Sequence, residues 1–553
     1  MHNFRKIAWG LCFLLSTPAV SQQAAPPSAA AAPAPRTLTA AEWREDLNFM
    51  ATEMEKRHAN LYHTVSKEKF QAAVADLDAR IPKLQRHQII VGMMRIAAMV
   101  GDGHTRVDPR KDPAFQVPSL PLKLYLFEDG VFVRAAAPEH AALVGAKIEA
   151  VGGVLIEEAM RRIGEISSRD NEMGIKKFVP LYLNMPAILH ALEISPTPGA
   201  AVFKLSKGKR VWTQTIAAGA VEPLWPADTD VSLVTPEGWV DARQSPALPL
   251  WLQAPLDSHR LIELPDHKAI YAQINMITNI RGQSFGDFGV KIRKQAEATN
   301  PRTVIVDFRL AHGGDHSLRH RFIRELVKTE DEDTRLFILT GRGSYSATEA
   351  VLVDLDRLTD AVLIGEPAAS KPNSFGDAYR MNMPNSGIAI RSSIFLVQLG
   401  GSNNKDPWTW VDVAAPLTFF NYAAGRDPAL ETALSYAPGP SLRDQLLEAA
   451  KAGGVPRVRE TLASYRSNRA NRYQNLELLV RRAAESLSAS NFPEEGYAVA
   501  QVGAEEFPLE PNSFVALAFL AERAGKTEAA KEAAKRALVL DPNNRQARSV
   551  LER

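Results

Sequence analysis

Apolar residues recur every three to four positions from "TAAEWREDLNFMATEMEKRH" to "HQIIVGMMRIAAMV". That is the period that turns one face of a helix towards a core. Thr39 and the acids after it suit a helix start, and the pattern predicts a helical N-terminal subdomain over 38–111. Between 112 and 215 the runs shorten to strand length. "LPLKLYLFEDGVFVRAA" reads as a hairpin around Asp129-Gly130, and "ALVGAKIEAVGGVLIEEAMRRI" as strand, Gly-Gly turn and helix. Over 216–438 strand and helix alternate. "KAIYAQI", "TVIVDFRL", "RLFILT" and "DAVLIGEP" are near-continuous apolar strands, with helical stretches such as "FGDFGVKIRKQAEA" and "LRHRFIRELVKT" between them. Such a succession predicts a mainly parallel sheet covered on both faces.

Residues 439–553 return to helical spacing. "PNSFVALAFLAERAGKTEAAKEAAKRALVLDPNN" fits a tetratricopeptide unit, with Leu517, Gly525, Ala530, Ala537 and Pro542 at its apolar, small and stop positions. Pro508 and Pro542 are 542 − 508 = 34 apart, the period of that repeat. One repeat cannot bury its own face. "GVPRVRETLASYRS" and "NLELLVRRAAESLS" are therefore expected to flank it, with an ordinary helical cap as the alternative. The whole reads as an α/β (α+β multidomain) chain. Its length of 553 residues, 45% hydrophobic and 23% charged, is enough for several full cores.

The first residues change the compartment. "MHNFRK" is basic, "IAWGLCFLLSTPAV" is mostly apolar, and "AVS" before Gln22 is a small-x-small cleavage site. We read 1–21 as an export signal and 22–37 ("QQAAPPSAAAAPAPRT") as a disordered Pro/Ala linker. An exported, periplasmic or secreted protein without stable membrane insertion follows. The only cysteine, Cys12, lies inside the signal, so thiol chemistry and disulfides are excluded from the mature chain. A formal net charge of +2 gives no reason to expect nucleic acid.

Three serine motifs compete. Gly282-Gln-Ser-Phe-Gly286 matches G-x-S-x-G, but that elbow needs its serine at a strand-to-helix turn, and "KAIYAQI" ends well before it. Ser284 suits an N-cap better; an esterase using it is a distant reading. Ser66-Lys-Glu-Lys69 matches S-x-x-K without the S-D-N or K-T-G that should follow. In "GRGSYSATEA" (341–350), Ser344 and Ser346 stand between a strand and a helix. There unpaired N–H groups and the helix dipole favour developing negative charge. On that segment alone, a capped helix is the favoured reading. Elsewhere, "GDGHT" (101–105) offers a histidine in a Gly-rich loop, "VIVDFRLAHGGD" (304–315) a strand running into Gly313-Gly314, and "VLIGEPAASKPNSFGD" (362–377) a lysine in a loop.

In this order "GDGHT", "VDFRLAHGGD", "GSYSATEA", "LIGEPAASKPNSFGD", "MPNSG" and "DPWTWVDVAAPLT" resemble the tail-specific (carboxyl-terminal-processing) serine protease family, including its tricorn-core branch. The resemblance implies Ser346 as nucleophile, with an oxyanion hole from Ala347 and Gly313 or Gly314. It offers two bases. Processing members use a lysine 25 residues on, which falls on Lys371 (371 − 346 = 25). The tricorn branch uses a histidine in a "GDGH"-like loop, which falls on His104, and a late acid for which Asp406 is a loose candidate. We favour His104. The sequence departs from the family at Ala311, where Asn is common, and at "GEPAAS", where the family has "G-E-P-T-G-G". Residues 112–215 stand where many members carry a PDZ domain; a β insertion is the alternative.

The function these readings predict is an exported serine endopeptidase acting on peptide or protein chains through a Ser346 acyl-enzyme. The alternative is a peptide-binding adaptor with a protease-like core. No metal or organic cofactor is implied, and a protein partner is expected at the helical tail.

Overall fold

The structure is a computed structural model that describes residues 37–108, 118–219, 233–245 and 247–553. The export segment 1–21 and, apart from Thr37, the linker 22–37 lie outside the described residues.

Three helices open the described chain, Ala40–Arg57, Lys67–Arg80 and Arg86–Ala98. The first starts in a capping box: the Thr39 hydroxyl accepts the Glu42 N–H, and the Glu42 carboxylate accepts the Thr39 N–H. Ser66, of the S-x-x-K match, caps the second. The helices bury Leu47, Met50, Ile90 and Met93 in a core that also holds Val133, Ile148 and Phe203 of the next region, and Ile388 and Ile390 from far along the chain. Helical and β-rich regions therefore share one interior.

That next region is an antiparallel sheet. Leu122–Phe127, Gly130–Ala136, Lys147–Val151, Ala200–Lys207 and Arg210–Ala217 pair in that order, with Val154–Leu155 and Val240–Asp241 added at the side. The hairpin turns at Asp129, and the helix after the Gly-Gly turn is Ile156–Gly164. Two further helices, Glu172–Leu183 and Pro186–Ala191, also pack on this sheet. The sheet takes in strands beyond residue 215, because Val240–Asp241 returns to pair with Ala135 and Ala136.

The third region carries a six-stranded sheet in the order Val413–Ala414, Val362–Gly365, Arg335–Thr340, Thr303–Asp307, Ala269–Ile274, His259–Leu264. All pairings are parallel except the last. Helices Phe285–Thr299, Arg319–Val327 and Ala347–Leu358 bury Phe288, Phe322 and Val351 in one core against it. Two shorter helices, Phe419–Ala423 and Pro428–Leu434, follow. Ala429 and Ala433 of the latter join a second cluster with Tyr271, Phe337 and Ile364.

A long hairpin, Asn373–Asn382 with Ala389–Gln398, leaves this sheet. Its second strand pairs antiparallel with Arg106–Asp108, and this ladder seats the loop after the third helix beside the parallel sheet. The tail is a stack of antiparallel helices, Leu442–Ser467 (kinked at Gly453-Gly454), Leu476–Ala489, Pro493–Glu506, Pro511–Arg523, Thr527–Leu540 and Arg545–Leu551. Pro493 and Thr527 start equivalent helices 527 − 493 = 34 residues apart. Among the described residues, no helix is long and apolar enough to cross a membrane.

Candidate active site

Parallel strands end on one side of their sheet, and open α/β sheets bind ligands outside those carboxyl ends. Here the ends of Thr303–Asp307 and Arg335–Thr340 are neighbours. Each runs into a glycine-bearing loop, and the two loops are strapped together. Ala311 carbonyl accepts both the Tyr345 N–H (2.9 Å) and the Thr348 hydroxyl (2.9 Å). Arg309 forks between Asp307 and Asp427 and fixes the point where 310–314 leaves the sheet.

The two serines of the turn have separate jobs. Ser344 is fully buried; its hydroxyl donates to Phe308 carbonyl at 2.8 Å and accepts the Gly341 N–H at 3.3 Å. It holds the turn. Ser346 is partly exposed, at the head of helix Ala347–Leu358, with φ +58° and ψ −121°. A non-glycine residue held there is strained, and such strain collects at functional sites. Ser346 makes no side-chain cap to its helix.

Its hydroxyl instead meets His104, whose Nε2 lies 2.9 Å from Ser346 Oγ across 242 positions of sequence. Asp102 builds the loop that carries His104. Its Oδ1 accepts the N–H groups of His104 (2.9 Å) and Thr105 (2.7 Å) and the Ser393 hydroxyl (2.8 Å). Its Oδ2 meets His58 Nε2 at 2.8 Å. His58 Nδ1 accepts the Asn60 N–H, so Nε2 carries the proton towards Asp102. Burial pushes the Asp102 carboxyl up, but the bonds from His58, Ser393 and Thr105 outweigh it and keep it below the usual carboxylate range.

His104 is depressed to about 4, first by burial and then by the charges of Arg106 and Arg391, against an upward pull from Asp102. Its ring is therefore neutral at physiological pH and able to accept a proton. Its Nδ1 meets the Tyr345 hydroxyl at 3.0 Å, and the two rings stack with centroids 4.7 Å apart.

Gly313 lies directly against Ser346. A methyl group on it would sit 2.9 Å from Ser346 Cβ, 3.1 Å from the Tyr345 carbonyl oxygen and 3.4 Å from Ser346 Oγ, at φ +119°. Only glycine suits that approach. Among the described residues, the N–H groups of Gly313, Gly314 and Ala347 donate to no acceptor. The Ser346 N–H differs: it donates to Ser370 Oγ at 2.8 Å. Ser370 ends the "GEPAAS" loop, which Asn171 holds through the carbonyls of Ala368 and Ser370, each at 3.0 Å.

Lys371 follows Ser370. Its ammonium makes no hydrogen bond or ion pair with a described residue, and its charge is felt at Asp170 and His63. Asp406 is not joined to His104. Its carboxylate is taken by the Asn404 side chain at 2.6 Å within the 400–406 loop, so a local turn, and not the histidine, uses that acid. Ser284 caps helix Phe285–Thr299 in a box with Asp287, which leaves it no strand-top position.

Sequence reading missed two carboxyls near the site. Asp170 accepts the Gly103 N–H at 3.0 Å, and burial with the nearby Asp102 charge pushes it up to about 7. Glu349, three residues past Ser346, is fully buried and pushed up to about 8, mainly by burial. Its Oε1 accepts Thr409 N–H and hydroxyl, and its Oε2 has no partner among the described residues. Nothing in their local sequence marks either one.

No protein-family model matches this sequence, and no curated protein matches it. Solved structures similar to this chain include mature CPAF complexed with lactacystin, at 12% identity and TM-score 0.48, covering 70% of this chain and 97% of that one. They also include the photosystem II D1 C-terminal processing protease, at 12% identity and TM-score 0.28, covering 64% of this chain and 87% of that one. The tricorn protease is similar at 14% identity and TM-score 0.32, covering 72% of this chain and 36% of that one.

Proposed function

We propose that the chain is an exported serine endopeptidase that cleaves peptide or protein chains through a Ser346 acyl-enzyme. One observation carries the reading: a neutral imidazole nitrogen 2.9 Å from the hydroxyl of a strained, partly exposed serine. Nucleophile and base within hydrogen-bond reach is the signature of covalent catalysis by a hydroxyl. The N–H groups of Ala347 and of Gly313 or Gly314, which have no acceptor among the described residues, would meet the second requirement, donors for the oxyanion.

The steps follow from these atoms. Ser346 Oγ attacks the scissile carbonyl carbon while its proton passes to His104 Nε2. The carbonyl oxygen takes the negative charge beside the unpaired N–H groups. As the tetrahedral centre collapses, the C–N bond breaks and the leaving amine takes the proton from His104. Water then attacks the ester, losing a proton to His104; the bond between the acyl carbon and Ser346 Oγ breaks, Oγ takes that proton back from His104, and the acid product leaves as its carboxylate. His104 is the base in this account. Lys371, whose charge acts on Asp170 and His63 and which makes no hydrogen bond with Ser346, is not the base in this account. Export rests on the first residues of the sequence, and a protein partner is proposed for the helical tail.

Hydrolysis of a quenched-fluorescence peptide library tests the reading with wild type, Ser346→Ala, His104→Ala and Lys371→Ala. Cleavage lost in the first two variants and kept in the third is expected. Cleavage that survives Ser346→Ala overturns it.

A further inference from the structure

We propose that the Tyr345 hydroxyl is the positioning group of His104, the acceptor that holds the imidazole with its proton on Nδ1 and its lone pair towards Ser346. The proposal rests on the serine peptidase reading and adds to it the third member of the constellation, which here is a phenol and not a carboxylate.

A neutral imidazole has one ring proton. If Nε2 is to take the proton of Ser346, Nδ1 must hold that one, and something must accept it. The Tyr345 hydroxyl is 3.0 Å from Nδ1 and, with the Ser346 hydroxyl on Nε2, is one of the two side-chain groups that hydrogen-bond the ring among the described residues. Three features fix the phenol there. Its ring stacks on the imidazole. Its N–H is tied to Ala311, so the tyrosine is set by the same strap that places Gly313. Its hydroxyl lies so close to Gly103 that a Cβ there would be 2.3 Å from it, which gives the "GDGH" loop a reason for its second glycine. The Phe375 carbonyl also pulls the imidazole towards its protonated form. Burial pushes the Tyr345 phenol well above its ordinary value, so it stays a neutral partner.

A carboxylate on Nδ1 would stabilise the imidazolium by charge; a phenol supplies only a hydrogen bond. The site should then run with a weakly basic histidine. Asp102 and Arg106 on its own loop and strand, Arg391 on the hairpin, Asp170 beside Gly103 and Lys177 over the Tyr345 ring surround this pair and remain in every variant below.

Tyr345→Phe keeps the ring stack and removes the acceptor. Peptide hydrolysis should show kcat lower by roughly 10- to 100-fold, part of what general-base catalysis supplies, with KM held within about twofold. The acidic limb of kcat/KM should move down by roughly 0.5–1 pH unit, because the imidazolium loses one hydrogen bond. A role in packing alone moves neither quantity, so wild-type kcat with an unmoved limb overturns the proposal. A second measurement needs no variant: nitrogen NMR of histidine-labelled wild type should find His104 protonated on Nδ1 at neutral pH. The opposite tautomer would mean that Tyr345 donates, and also overturns it. A wild type without hydrolysis or labelling at Ser346 removes the peptidase reading itself, and the proposal with it. An active wild type with an unaffected Tyr345→Phe removes the proposal alone.

Discussion

Replacing Gly313 by alanine tests whether the glycine loop and the nucleophile form one working unit. The new methyl would lie 2.9 Å from Ser346 Cβ and 3.1 Å from the Tyr345 carbonyl oxygen. Carbon atoms prefer about 3.5–4.0 Å, so one loop must retreat by roughly 0.5–1 Å. Neither loop can retreat freely, since Tyr345 and Thr348 are bonded to Ala311 and Ser344 to Phe308. A misplacement of about 1 Å costs up to about 100-fold in rate, close to 3 kcal/mol of transition-state stabilisation. The backbone itself, at φ +119°, adds a stability loss of about 1–3 kcal/mol. Gly153→Ala separates the two effects. It sits at φ +84° with nothing within 4 Å of the added Cβ, so it carries backbone strain without a clash. Peptide hydrolysis and thermal melting of both variants make the assay. Both should melt lower, and only Gly313→Ala should lose kcat/KM. A Gly313→Ala enzyme with wild-type kcat/KM would refute the placement of Ser346 against this loop.

Three further outcomes follow from the same geometry. His104 is depressed from 6.5 to about 4, so kcat/KM should hold through mildly acidic pH and fall as pH drops through about 4; a limb near 6.5 would contradict the burial of its ring. The unfolded chain binds the His104 proton first, so this group also costs the fold stability as pH falls from about 6.5 to about 4. Glu349 works in the opposite sense: its folded value of about 8 lies above 4.5, so its contribution is full below about 4.5 and is lost as pH rises to about 8. Glu349→Gln, which mimics the protonated acid, should therefore gain stability over wild type as pH rises, by up to several kcal/mol at pH 9, and equal melting curves at pH 5 and 9 would contradict this. Ser284→Ala should lose about 1 kcal/mol from its helix cap and no activity, and lost activity there would revive the esterase reading.

Much of the fold is legible in the sequence because burial makes a continuous apolar run. "RLFILT" is a strand from Arg335 to Thr340, covered on both faces, and the helix read from "FGDFGVKIRKQAEA" spans Phe285–Thr299. The long hairpin is not legible in the sequence, because Tyr379, Phe395 and Leu396 are exposed and its strands alternate without a clear apolar face. That omission matters, since this hairpin pairs with Arg106–Asp108 and brings "GDGHT" to the sheet. The neighbourhood of His104 and Ser346 depends on that long-range pairing, which no local spacing reveals; a resemblance suggested it. Nothing in the sequence marks Tyr345, which stands between two serines that suit the nucleophile's place. Asp406 stands at the late acid position that the family resemblance implies, whereas the buried acid on the helix after Ser346 is Glu349, which only packing discloses.

The central claim is that Ser346 is an activated nucleophile. The most direct measurement is intact-mass and peptide-level detection of a fluorophosphonate adduct on the mature protein. The account predicts one adduct, on Ser346, formed faster than hydrolysis of the reagent and slowed strongly in His104→Ala. A folded wild type that carries no adduct and cleaves no peptide, or an adduct on any other serine, would contradict it.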